Sequence, residues 1–425
     1  MSAPRLKAPR LKLSVCAIVL TTLAGCGAGS SNTPPIGGGG NPTIVTFTFT
    51  GAAPAAVATQ IGNGAYTQAT LTANKLTLSV PEGESNFAVV YACPQIGSNP
   101  TSYFETIKQA NILDATSFSA ACPAATSAPQ AGLATLQVNA AAIPGAQWVI
   151  VGGEGLEWSG TPLDFSEQLA VGTRDFPVAV ADGVSPPYLG NYLAIRILRN
   201  QVVPGALNGG NPLVFATSDL LSQQTITYSH VPSGYSLASP SVEYRTVGGA
   251  FIGLDATGPS NQYLSIPSAS MQSGDYYQIG VSAQDVASRG VVDVNGFTSI
   301  GGPQSFTFPA PPSYAGPTAA ALPSFKMSYS GFSGMSPVNQ FAGLQWSQGA
   351  TAIYFISIEA TMNYQNGSSI MSIPDLSALT GFIAPAASGT TVSWNAGSVE
   401  GNPFLTTPPS GITQSAFNYG SYTVP

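Results

Sequence analysis

From Thr43 onward the chain alternates. Val45, Phe47 and Phe49 fall on one side of an extended segment and Thr46, Thr48 and Thr50 on the other. That period of two marks a strand with one buried face. The runs Leu76-Thr77-Leu78-Ser79-Val80 and Phe87-Ala88-Val89-Val90-Tyr91-Ala92-Cys93 read the same way, and Pro81-Glu82-Gly83-Glu84 between them is turn chemistry. Gln147-Trp148-Val149-Ile150-Val151 is also strand-like. One segment is ambiguous. Ser102 with Glu105 matches a capping box, and Tyr103, Ile107 and Ala110 share a helical face, yet Thr106, Ile107 and Ile112 suit a strand between strands. The strand is the expectation.

Turn residues divide this pattern. Asp182-Gly183-Val184-Ser185-Pro186-Pro187 closes a first region, and Pro309 to Pro323 forms a Pro-rich linker. The reading is a β-sandwich region over 43–183, a second over 184–312, a linker over 313–322 and a last domain over 323–425. Weak echoes recur. The stretch Val80 to Val89 resembles Val171 to Val178 and Val231 to Tyr235, and Gly62-Asn63-Gly64 resembles Gly153-Glu154-Gly155. Either hairpins that look alike or duplication accounts for this. In the last region Leu344 and Trp346, then Ala352, Tyr354, Ile356 and Ile358, then Val392 and Trp394, alternate. This resembles a fibronectin type III or immunoglobulin-like sandwich, which implies a Trp and a Tyr on facing strands filling the core. The fold class expected is all-β, with tandem sandwich domains.

The N-terminus breaks the pattern. Arg5, Lys7, Arg10 and Lys12 precede an apolar run from Leu13 to Leu23, too short to span a bilayer but of secretory length. The run ends in Leu23-Ala24-Gly25-Cys26, which resembles the lipobox of bacterial lipoproteins. The resemblance implies cleavage after residue 25, lipidation of Cys26 with palmitate-type chains, and anchoring in the cell envelope. Because Gly27 rather than Asp follows, it implies the outer membrane. Residues 26–42, rich in Gly, Ser and Pro, read as a flexible tether. Cys16 leaves with the signal, so Cys93 and Cys122 remain as a pair in an exported protein, where a disulfide is the expected state. Its loop-closure entropy is roughly 3–4 kcal/mol.

Charge narrows the function. Charged residues make up only 7% of the 425 positions. Without the signal, eight basic residues face nineteen acidic ones, too few clustered cations for a nucleic-acid partner. The sole histidine, His230, stands before a turn and reads as structural. The chain has no G-x-S-x-G, H-E-x-x-H or P-loop, and no cofactor is expected. Glu154, Glu157, Asp164, Glu167 and Asp175 lie within 22 residues, and Trp158 among them reads as free to face solvent. Glu154, Glu157, Trp158 and Asp164 are thus the candidates for a ligand or calcium site or for a glycosidic acid–base pair. The competing reading is a solvated strand edge, where charge discourages edge-to-edge pairing. Asp293-Val294-Asn295-Gly296 reads as a hairpin turn. The expectation is a non-enzymatic, membrane-anchored scaffold whose partner is an envelope protein or glycan. The alternative is an envelope glycan hydrolase or carbohydrate-binding protein using the acids near Trp158.

Overall fold

The computed structural model describes residues 41–97, 100–122, 130–151, 154–182, 191–254, 261–285, 290–311, 316–326, 338–366, 368, 370–400 and 411–425. Cys26 and nearly all of the tether lie outside the described residues. The strands fall into four groups. The first holds β1 (Thr43–Gly51), β2 (Ala56–Ile61), β3 (Thr67–Ala69), β4 (Lys75–Val80), β5 (Asn86–Ile96), β6 (Thr101–Asn111) and β7 (Ser117–Cys122). The second holds β8 (Ala131–Asn139), β9 (Trp148–Val151), β10 (Glu154–Glu157), β11 (Leu163–Ala170), β12 (Gly172–Asp182), β13 (Asn191–Val203), β14 (Gly205–Ala206) and β15 (Leu213–Val214). The third holds β16 (Ser222–Ser229), β17 (Ser236–Leu237), β18 (Ser241–Arg245), β19 (Phe251–Gly253), β20 (Gln262–Ser265), β21 (Tyr276–Asp285), β22 (Gly290–Thr298) and β23 (Gln304–Thr307). The fourth holds β24 (Ser324–Lys326), β25 (Val338–Gln348), β26 (Ala352–Ala360), the single turn α1 (Met362–Gln365), β27 (Ile370–Ser372), β28 (Thr391–Glu400) and β29 (Gly411–Thr423).

The groups repeat one wiring. In the first, β1 runs antiparallel to β4 and parallel to β7, while β2 pairs β3 and β5, and β5 pairs β6. In the second, β8 pairs β11 antiparallel and β14 and β15 in parallel, while β9 pairs β10 and β12, and β12 pairs β13. The third repeats it with β16 beside β20 and β23, and with β19, β18, β21 and β22 in the second sheet. In the fourth, β24 pairs β27, and β26, β25, β28 and β29 follow in order. Each group is a unit of two facing sheets, so the fold is all-β. The echoes from Val80 and from Val171 fall at equivalent turns, between β4 and β5 and between β11 and β12. The one at Val231 follows β16, a different place in the wiring.

Sheets do not stop at unit borders. The order β3-β2-β5-β6-β26-β25-β28-β29-β22-β21-β18-β19 is one continuous sheet drawn from units one, four and three. β6 and β26 meet in parallel, Thr101 opposite Ala352 through Gln109 opposite Ala360. β22 and β29 meet antiparallel. The boundary read at 183/184 falls between β12 and β13, which pair with each other from Gly172 opposite Val203 to Asp182 opposite Asn191.

Burial explains which runs alternate. In β4 every second residue is buried, since one side faces β1's sandwich and the other faces water. β5 does not alternate as its sequence was read: Phe87 to Cys93 are all buried. Phe87, Val89, Tyr91 and Cys93 enter unit one's core, whereas Val90 joins unit four's. β12 behaves likewise, with Val178 and Val180 in unit two's core and Ala179 in unit three's. An unbroken apolar strand here signals a sheet covered on both faces. Each large side chain so buried contributes about 1.5–3 kcal/mol. The segment around Ser102 to Ala110 is the strand β6, because its neighbours β5 and β26 satisfy its backbone from both sides. Asp293-Val294-Asn295-Gly296 is not a hairpin turn but the middle of β22, paired to β21 and β29. Trp346 and Tyr354 face each other across β25 and β26 with rings stacked 5.3 Å apart in unit four's core.

Candidate functional site

The acids gathered in sequence near Trp158 separate in space. Glu154 and Glu157 lie on β10, the outermost strand of the sheet β10-β9-β12-β13. Glu157 is exposed. Asp164 and Glu167 are exposed on β11, the outermost strand of the facing sheet, and Asp164 accepts a 3.0 Å hydrogen bond from Gln137 Nε2. Trp158 is not free: its side chain is partly buried against unit two's core, as are Leu156 and Leu163, and its backbone N–H donates to Gln147 O at 2.6 Å. His230 is exposed, at φ +56° after β16. Among the described residues no three His, Cys, Asp or Glu side chains gather to hold a metal ion. Cys93 on β5 and Cys122 on β7 are joined, a disulfide between the two sheets of unit one.

Asp175 leaves the acidic group altogether. It stands on β12 with its side chain 2% exposed, and Asp275 of unit three is fully buried at 0%. Charges so buried must be compensated. Arg199 of β13 reaches between them. Its Nη1 donates to Asp175 Oδ2 at 2.9 Å and its Nη2 to Asp275 Oδ2 at 2.6 Å and to Ser270 O at 2.9 Å. One guanidinium leaves one negative charge over, and neighbouring donors absorb it. Asn200 N donates to Asp175 Oδ1 at 2.9 Å, while Val247 N (3.0 Å), Gln272 N (2.8 Å) and Tyr244 Oη (2.5 Å) donate to Asp275. Burial opposes the charge on both carboxyls, yet these hydrogen bonds together outweigh it and hold both below the usual aspartate range. Burial, followed by the adjacent Asp275, pushes the Tyr244 phenol up, so it stays a donor. Gly248 completes the fit: a Cβ there would run into the Asp175 carboxylate. The arrangement has no nucleophile and no open acid. It clamps unit two to unit three.

The junction of units one and four is built differently. Its axis is the β6–β26 ladder, flanked by Lys108 paired with Glu359, by Phe104 stacked on Phe355 at 4.8 Å, and by Tyr103 stacked on Tyr354 at 4.8 Å. Asp114 accepts from Thr361 Oγ1 at 2.5 Å and from Asn363 Nδ2 at 2.6 Å. On the face opposite Lys108 lies Glu105, 3% exposed and in register with Ile356. Its Oε2 accepts from the backbone N–H of Ile383, at 2.9 Å, in unit four. Burial pushes its carboxyl up to about 7, opposed by that one hydrogen bond. At the β22–β29 junction Asp293 is likewise pushed up to about 6 by burial, against hydrogen bonds with Ser282 and Ser415.

Sequence reasoning singled out none of Arg199, Tyr244, Asp275 and Glu105 as a site. Asp275 follows Ser273-Gly274 and looks like turn chemistry, and Arg199 ends an ordinary strand. Glu105 alone carried a signal. Read as a strand, Tyr103, Glu105 and Ile107 share one face, which puts a carboxyl among apolar neighbours. Compared with protein-family models and with curated proteins, the chain matches none.

Proposed function

We propose that the chain is a lipid-anchored envelope protein whose four β units act together as a non-enzymatic structural or binding scaffold. The observation that carries this reading is the continuous sheet through units one, four and three, to which the Arg199 clamp fixes unit two. Such a body holds its surfaces at fixed spacing and orientation, which a scaffold needs and a string of hinged domains does not provide. The polarised charge chemistry of the interior is spent on joining units. Anchoring follows from Cys26 and places the body beyond a 17-residue tether, 26–42. Palmitate labelling should mark the wild type and not Cys26→Ala, which should leave the membrane fraction. The double change Glu154→Gln with Glu157→Gln should keep stability within about 0.5 kcal/mol, as for surface positions. Glycan hydrolysis by the wild type that this double change abolishes would overturn the scaffold reading.

A further inference from the structure

We infer that the junction between units one and four is a proton-operated joint, in which Glu105 must be uncharged for unit four to close fully over β6. Three features place it there. Glu105 sits in the ladder that joins the units, directly beside Ile356 of β26 and Ala92 of β5. It is 3% exposed, so an ionised carboxylate would lack water. The group that meets it from unit four is the Ile383 amide, a single neutral donor that favours the ionised carboxyl but offers far less than the water lost on burial.

No cation faces it. On β6 its face-mates are Tyr103 and Ile107, and on β26 they are Tyr354, Ile356 and Ile358. The unit four core that covers them adds Phe382 and Ile383 and the phenols of Tyr66, Tyr364 and Tyr422. Lys108 and Glu359 occupy alternate positions of the same two strands, so they point to the opposite face, where Tyr91 senses both. Burial therefore acts on Glu105 against one hydrogen bond and no counter-charge, which pushes its carboxyl up to about 7. Below that pH the joint is closed and neutral. Above it, either the carboxylate stays buried at a cost or the Ile383 segment lifts to admit water.

The test uses the full exported chain with its disulfide intact. In the wild type the Glu105 carboxyl carbon, followed by NMR, should titrate near pH 7, more than two pH units above an ordinary glutamate. Hydrogen exchange at Ile383, corrected for intrinsic rate, should speed up at least tenfold between pH 5.5 and 8.5. In Glu105→Gln, which keeps shape and removes the charge, the corrected rate should be flat. An ordinary glutamate midpoint for the wild-type carboxyl overturns the inference even if the variant fails to fold. So does a Glu105→Gln profile that still rises with pH as the wild type does.

Discussion

Two junctions in this molecule solve the same problem with different chemistry. Units one and four join by extending a sheet, so backbone N–H and C=O groups supply most of the contact and side chains decorate it. Units two and three join by side chains, with Arg199 spanning two buried aspartates while Ala179 and Ile195 press into the neighbouring core. A ladder tolerates substitution, because any residue but proline brings the same backbone groups. A buried ion cluster does not, because removing one member strands the charge of the others. The two also face opposite ways in pH. Asp175 and Asp275 are held low, so they support the fold above the ordinary aspartate pKa of about 3.9 and lose that support as pH falls through their folded values. Glu105 is held high, so its contribution is fully present below the ordinary glutamate value of about 4.3 and is lost as pH rises through about 7. Acid should open one junction and mild base the other.

The sharpest way to break this contrast is Arg199→Ala. It leaves two buried carboxylates without their shared counter-ion and should cost about 3–5 kcal/mol in urea unfolding, while amide exchange along β6 and β26 stays as in the wild type. An Arg199→Ala chain as stable as the wild type would remove the clamp from the account. Next in size is the disulfide. Replacing Cys93 and Cys122 together by Ala should cost roughly 3–4 kcal/mol, confined to unit one, and non-reducing mass spectrometry of the wild type should find that cross-link and neither thiol free.

The pH contrast comes third. Glu105→Gln should flatten the decline in stability between about pH 4.3 and 7, an effect of less than about 4 kcal/mol, and leave acid unfolding unchanged. If both junctions weaken in the same direction of pH, the contrast is gone. Last and smallest is a cut in the chain between 309 and 323. Pro-rich exposed segments admit proteases. A denaturing gel should show a C-terminal fragment of about a hundred residues. Under native conditions that fragment should still travel with the rest, because ladders on both sides hold unit four. Separation on a native column would show that the ladders alone do not bind it.

Strands were legible in this sequence wherever one face met water. Val45, Phe47 and Phe49 gave β1, and Leu344 and Trp346 gave β25, through simple alternation. The disulfide was legible because an exported chain left only two thiols to pair. How the units join was not. Phe87 to Cys93 shows that a strand lacks a wet face, but nothing in those residues says that unit four's core lies over Val90, more than 200 residues away in sequence. Arg199 and Asp275 are likewise ordinary in their local context and acquire a role only when folding brings them within 2.6 Å. Clustering in sequence misled at Asp175. The acids around it share a stretch of chain, whereas its working partners are Arg199, Asn200 and, in unit three, Thr246.

The edges of β6 and β22 are both completed by strands made later, β26 and β29. During synthesis and export, each waits as an open row of amides and carbonyls, the kind of surface that recruits other chains. The residues on these two strands answer that hazard. β6 carries Lys108 and Glu105, and β22 carries Asp293, so each waiting edge bears charge at neutral pH while it is still wet. When β26 and β29 arrive, Lys108 gains Glu359, while Glu105 and Asp293 are drawn into surroundings that favour their protonated forms. The same carboxyls that burden the finished joints are gatekeepers of the unfinished ones.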